Sequence, residues 1–261
     1  NQVTRLWKLP SNAADSRALN HTGPVRRAEF SRDGHRVLTA SVDGTARLWD
    51  AATGAHLRTF PHEDAVMDAA FSSDGRLVVT SSQDRTARIW NATTGEAVTA
   101  PLPHRSVVWH AEFSRDSRRL VTAAGNSLAH DTRFRMFSAS SEQETPLSSD
   151  QGEARIWDVR TGKELLAFSH SNTVTHAEFS PDGTKVVTAS ADQTARVWDA
   201  VKGLPISPLL RHGATVYYAT FSPNGRRVLT ASSHWTLMPR EAQIWDAVTG
   251  QPVGAPLRHS Y

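Results

Sequence analysis

Thr45-Ala46-Arg47-Leu48-Trp49-Asp50 returns as Thr86-Ala87-Arg88-Ile89-Trp90-Asn91 and again as Thr194-Ala195-Arg196-Val197-Trp198-Asp199. Looser copies are Thr4-Arg5-Leu6-Trp7-Lys8, Ala154-Arg155-Ile156-Trp157-Asp158 and Ala242-Gln243-Ile244-Trp245-Asp246. Six of the 8 tryptophans therefore share one slot. A period of about forty residues that closes on Trp-Asp marks a repeat architecture, in which each unit is one small supersecondary element.

Working outward from the Trp strand, each unit opens on a histidine: His21, His62, His104, His170 and His212. In the first, an apolar strand from Val25 to Phe30 meets a turn at Asp33-Gly34. A second strand follows from Val37 to Ser41, then the Trp strand. The turn recurs as Asp74-Gly75, Asp182-Gly183 and Asn224-Gly225, pairs that supply the positive φ a tight hairpin needs. Asp116-Ser117 breaks this rule, so that hairpin is expected to be less well specified. A second turn, such as Thr53-Gly54, leads into a fourth strand carrying Phe60, Leu102, Phe168, Leu210 or Leu257. Four antiparallel strands per unit make one propeller blade. One blade cannot cover both of its own faces, so neighbours must stack on it.

These motifs resemble the WD-repeat β-propeller family over essentially the whole chain. The resemblance implies an all-β fold of four-stranded antiparallel blades at 21–61, 62–103, 104–169, 170–211 and 212–258. Residues 1–20 read as a half-blade and residues 259–261 as the start of another repeat. On this reading the sequence is a piece of a longer array of about seven blades, with open strand edges that invite self-association. The phrasing of the repeats is similar to bacterial arrays attached to protein kinases or signalling nucleotidases.

Composition narrows the function. There are no cysteines, hence no disulfide framework and no thiolate metal site. No run reaches the roughly 18 apolar residues of a membrane-spanning helix, and the first residues lack a signal-peptide layout; a cytoplasmic location and no membrane partner are expected. The net charge is +3, but the arginines are spread over every repeat rather than blocked together, which argues against nucleic acid.

His21, Ser41, Asp43 and Trp49 recur as His62, Ser82, Asp84, Trp90 and as His170, Ser190, Asp192, Trp198. Ser, His and Asp together suggest a hydrolase triad. A nucleophile site, however, needs one activated Ser, and it is not built three times over. The family resemblance implies instead that these four residues form a structural hydrogen-bond chain in each blade. The His104 unit has Ala124 and Gln151 in place of Ser and Asp, and the His212 unit keeps Ser232 but has Pro239. Those two blades are expected to have lost the tie. The histidines lack ligand spacing, so no metal and no cofactor are expected.

The same two units carry insertions between their second and third strands. The longer, about 125–151, includes Arg133 and Arg135; the shorter includes Trp235. Loops this long are functional or disordered. In the first strand, Val25, Ala28 and Phe30 recur as Val66, Ala69, Phe71 and as three further sets. Ala and Phe share one parity and Val has the other, which requires a β-bulge just after the Val. The bulged residues are Arg26, Met67, Trp109, Thr175 and Tyr217. Large apolar and aromatic side chains dominate interface hot spots, so these five, with Arg133, Arg135 and Trp235, are the candidate partner-binding residues. The expected function is a non-catalytic scaffold that presents a rigid face to a protein or peptide. The alternatives are a sensor segment of a larger signalling enzyme and a nucleic-acid-binding propeller.

Overall fold

Alternating apolar strands punctuated by Gly turns give, in a computed structural model, an all-strand architecture. The structure describes residues 3–6, 17–126, 152–233 and 240–259. β1 (Val3–Leu6) and β2 (Arg17–Asn20) pair as a two-stranded sheet. The first complete blade is β3 (Val25–Phe30), β4 (Arg36–Ser41), β5 (Thr45–Asp50) and β6 (His56–Pro61). The second is β7 (Val66–Phe71), β8 (Leu77–Ser82), β9 (Thr86–Asn91) and β10 (Leu102–Pro103). The third is β11 (Val108–Phe113), β12 (Arg119–Ala124), β13 (Gly152–Asp158) and β14 (Glu164–His170). The fourth is β15 (Val174–Phe179), β16 (Lys185–Ser190), β17 (Thr194–Asp199) and β18 (Leu210–Arg211). The fifth is β19 (Thr215–Phe221), β20 (Arg227–Ser233), β21 (Arg240–Asp246) and β22 (Leu257–His259). Each is an antiparallel meander. The first strands pack on one another in chain order, β3 on β7, β7 on β11, β11 on β15 and β15 on β19.

The hairpin at Asp116-Ser117 departs from expectation. Ser117 takes a φ of 56° and its amide donates to the Ser114 carbonyl at 2.8 Å, as Gly75 does to Ser72. The Ser117 hydroxyl meets the Ser73 hydroxyl at 3.0 Å, a contact between blades that helps hold the left-handed conformation. The turn is as well formed as its glycine counterparts.

Apolar cores lie between blades. Leu38, Leu48 and Phe60 of the first blade pack with Val66, Val78 and Trp90 of the second. Val121, Ile156 and Phe168 of the third pack with Val174, Val186 and Trp198 of the fourth. Leu19 of β2 packs on Val37 and Trp49, so the two-stranded sheet covers part of the first blade. Where no described blade follows or precedes, the same positions are bare. Leu257 is 58% exposed against 0% for Phe60, and Phe30 is 59% exposed against 5% for Phe179.

Inside each blade a polar chain fixes strand order. The Trp49 indole N–H donates to the Thr39 hydroxyl at 2.8 Å, which meets His21 Nε2 at 2.7 Å; His21 Nδ1 meets Asp43 Oδ2 at 2.8 Å. The second and fourth blades repeat it through Trp90, Thr80, His62, Asp84 and through Trp198, Thr188, His170, Asp192. Burial pushes the Asp43 carboxyl up, but the Thr45, His21 and Thr22 donors outweigh it and hold it at about 2. Burial also lowers the His21 imidazole, so a neutral ring donates from Nδ1 and accepts at Nε2.

Two expectations are corrected here. The linking hydroxyl is Thr39, Thr80 or Thr188, not Ser41, Ser82 or Ser190. Those serines sit two residues on: Ser41 donates to the Gly23 carbonyl and accepts from the Asp43 amide, bracing the loop that carries the aspartate. Among the described residues, the inserted blades keep the Trp–Thr–His part of the tie, without the aspartate. Trp157 donates to Thr122, which meets His104 Nε2 at 2.7 Å, and Trp245 donates to Thr230, which meets His212 Nε2 at 2.9 Å. His104 turns Nδ1 to the Leu102 carbonyl at 3.1 Å. Trp7, Gln151 and Pro239 lie outside the described residues.

Removing the shared hydroxyl leaves two buried groups unpaired. Thr80→Val is expected to cost about 1–3 kcal/mol, and Thr122→Val a similar amount despite its different partner at Nδ1. Urea unfolding checks this: a full loss for Thr80→Val beside none for Thr122→Val would show that the inserted blade has no working tie.

Candidate functional site

The bulge deduced from parity is present in all five blades. Pairing slips between Val25 and Arg27, Val66 and Asp68, Val108 and His110, Val174 and His176, and Val216 and Tyr218. Each slip takes the residue after the Val out of the strand register. The structure spreads these five side chains over different environments. Met67 is buried. The Thr175 hydroxyl lies within reach of the Val216 carbonyl at 2.8 Å and the Ala189 carbonyl at 3.1 Å, so it braces the next blade. The Trp109 indole donates to the Gly125 carbonyl at 3.1 Å and remains half-buried, as do Arg26 and Tyr217.

Gly125 and Gly152 are the feet of the long insertion. A Cβ on Gly125 would lie 2.4 Å from Thr173 Cα, and one on Gly152 would lie 2.0 Å from the Asn172 carbonyl oxygen. The Thr173 hydroxyl also donates to the Asn126 carbonyl at 2.6 Å. Both feet are thus clamped against the loop that follows His170, at the end of the blades where the unit-opening histidines lie. Arg133, Arg135 and Trp235 fall outside the described residues.

A second constellation lies one residue further along each first strand, where the sequence reading did not look. It consists of Arg27, Asp68, His110, His176 and Tyr218, with Glu29, Glu112 and Glu178 two positions on. Arg27 Nε meets Asp68 Oδ1 at 3.1 Å and its Nη2 meets Glu29 Oε2 at 3.2 Å. His110 Nε2 stands 3.6 Å from Asp68 Oδ2. The His110 and His176 ring centroids lie 4.1 Å apart at a tilt of 37°, and those of His176 and Tyr218 lie 4.3 Å apart. Glu29 accepts the Phe71 amide at 2.8 Å, and Glu178 accepts the Phe221 amide at 3.2 Å and the Thr220 hydroxyl at 2.9 Å. These bonds stitch one first strand to the next. A cavity of about 210 Å³ lies among them, bounded by residues from all five first strands.

Desolvation dominates the electrostatics. Burial raises the Asp68 carboxyl to about 6 against the pull of Arg27. Burial and then the charge of Glu178 raise Glu112 to about 8, with Arg27 opposing. Burial and the Arg27 charge lower His110 to about 3, and burial, His110 and Arg27 push His176 well below its ordinary value. Clusters of displaced pKa values in a cavity mark candidate functional sites. Among the described residues no three His, Asp or Glu side chains are placed to share a metal ion.

Residues 16–50, 54–91 and 162–199 match the family model described as WD domain, G-beta repeat. These three stretches are WD repeats. The WD repeats are similar to the WD repeat and SOCS box-containing protein 1 of Danio rerio, 50% identical over 52 residues, 19% of this chain and 12% of the relative. They are similar to the Eukaryotic translation initiation factor 3 subunit I of Culex quinquefasciatus, 42% identical over 52 residues, 20% of this chain and 16% of the relative. A longer match, 22% identical over 201 residues, covers 77% of this chain and 20% of the Periodic tryptophan protein 2 of Arabidopsis thaliana. The matches thus span small parts of these relatives.

The raised Glu112 carboxyl gives a signed prediction. Between its ordinary range and about 8 the folded WD repeats hold a proton there that the unfolded chain releases, so this group lowers stability as pH rises. Asp68 acts in the same sense up to about 6. His110 and His176, neutral in the fold, act oppositely, because stability is lost as pH falls and the unfolded rings take up protons. Glu29, Glu178 and Arg27 complete the facing charges. Glu112→Gln is therefore expected to gain Tm relative to wild type on going from about pH 6 to about pH 9. A constant difference across that range would show that Glu112 is ionised throughout.

Proposed function

We propose that this chain is a non-catalytic protein-interaction scaffold that engages its partner at the end of the blades where both insertions are rooted. WD repeats support the scaffold reading. The observation that carries the choice of face is the position of Trp109: it sits on a bulge, half-buried, and donates to Gly125 at the foot of the long insertion. Tyr217 occupies the same register in the fifth blade, beside the second insertion. Rigid aromatic side chains set beneath loops suit hot-spot anchoring, since little side-chain entropy is lost on binding. The bare apolar positions Phe30, Leu229 and Leu257 add a surface for self-association in this reading.

The experiment is affinity capture with a Trp109→Ala/Tyr217→Ala double variant. The control is Arg76→Ala, an arginine whose side chain is 86% exposed at the opposite hairpin. The double variant is expected to lose its partner while the control keeps it. The reverse result would place the partner on the other face.

A further inference from the structure

We propose that the cavity among the first strands binds one organic cation, the guanidinium group of an arginine side chain, with Glu112 as its principal acceptor. This site begins one residue beyond Trp109 and Tyr217 along the first strands and extends toward the Asp-Gly hairpins; it does not depend on a partner at the insertion-bearing end. Three observations converge on it.

The first is an imbalance of donors and acceptors. Arg27 is the one permanent cation among the described lining residues, and Glu29 and Asp68 already hold it. Glu29 and Glu178 each accept a backbone amide of the next blade. Glu112 occupies the same register, yet none of the described residues donates a hydrogen bond to it. Ionising it would place its charge near Glu178, Asp68 and Glu29 together, with Arg27 alone in opposition. An incoming cation removes that repulsion.

The second observation is independent of the carboxylates. His110 and His176 line the cavity and are 7% and 8% exposed, and Nδ1 of each has no hydrogen-bond partner. Held neutral by burial, each ring keeps one acceptor nitrogen. Leaving buried polar atoms unpaired costs free energy, and a ligand rich in N–H donors satisfies them. A metal ion does not suit the described residues, because they offer no three-ligand set. The third observation is Tyr218, 44% exposed, its ring centroid 4.3 Å from that of His176 and tilted by 52°. Its ring offers a cation an aromatic face at the mouth of the cavity.

Burial, with the charge of Glu178, sets the proton balance by holding Glu112 up to about 8. Glu112 carries a proton before binding. When the cation enters, the carboxyl ionises and its proton passes to buffer. Binding therefore releases protons at neutral pH and tightens as pH rises toward about 8.

Isothermal titration calorimetry tests this with three probes: acetyl-Gly-Arg-Gly-amide, the same peptide with citrulline, and ethylguanidinium. The arginine peptide is expected to bind, and the citrulline peptide to bind at least tenfold more weakly, about 1.4 kcal/mol or more. Titration in buffers of different ionisation enthalpy is expected to show proton release at neutral pH. Glu112→Gln should abolish that release and weaken binding by a factor of about ten. Tyr218→Leu, altered at an exposed ring, should weaken binding several-fold with the fold intact, and it decides the matter if Glu112→Gln does not fold. Ethylguanidinium binding as tightly as the peptide would assign the site to a free small cation; weaker binding would assign it to a side chain. Equal affinity for arginine and citrulline peptides, no binding of either cation, or unchanged affinity in folded variants would overturn the proposal.

Discussion

A four-stranded blade has two apolar faces and covers neither. Everything else in this molecule follows from that constraint. Leu48 is buried because Val78 and Trp90 of the next blade stand against it. Full burial of such a side chain is worth about 1.5–3 kcal/mol, and none of it is available to an isolated unit. Stability is therefore a property of blade pairs, and the bare Leu257 shows the same chemistry without its neighbour. The aromatic contacts between Phe60 and Trp90 at 5.6 Å and between Phe168 and Trp198 at 5.0 Å show how the outer strand of one blade sets the Trp strand of the next.

Packing between blades is non-directional, so something else must fix the order and tilt of strands within a blade. The Trp–Thr–His chain does this by joining the third strand, the second strand and the opening loop through one hydroxyl. A buried polar chain specifies geometry only when every member is satisfied. This explains why His104, whose described surroundings include no aspartate partner, turns to a backbone carbonyl instead. The bulge does the complementary work on the first strand. By adding one residue after the Val it lets Val and the Ala–Phe pair both face apolar neighbours. It also takes two successive side chains per blade out of the alternation that Val, Ala and Phe follow.

Much of this was legible in the sequence because it repeats. The strands, the Gly turn after the Trp strand and the bulge each recur five times, and parity alone required the bulge. The linking threonine was missed although Thr39, Thr80, Thr122, Thr188 and Thr230 recur without exception. Threonine is an ordinary strand residue, and the Ser two positions on looked more like chemistry. The polar cluster was missed for the opposite reason. Arg27, Asp68, His110, His176 and Tyr218 share a register but only the two histidines share a residue type, so no repeat signal marks them. Their meaning comes from proximity across blades, which only the fold supplies. Ser117 was misjudged because its left-handed turn is supported by Ser73 of the adjacent blade, a contact that spacing along the chain does not show.

The repeats also act as internal controls on one another. Where all five units agree, each blade faces the same structural demand. Where they differ, the fold tolerates difference. Ala70 stands at the register of Glu29, Glu112 and Glu178, and the second blade is as complete as the others. The fold therefore does not require a carboxylate there. Glu29 and Glu178 are accounted for by the backbone amides they accept from the next blade. Glu112 accepts none, and burial raises it far enough to keep its proton. A desolvated carboxyl that accepts no backbone amide and that alanine could replace is a cost to the folded chain. Such a residue is better explained by a cation that enters between the strands than by the strands themselves.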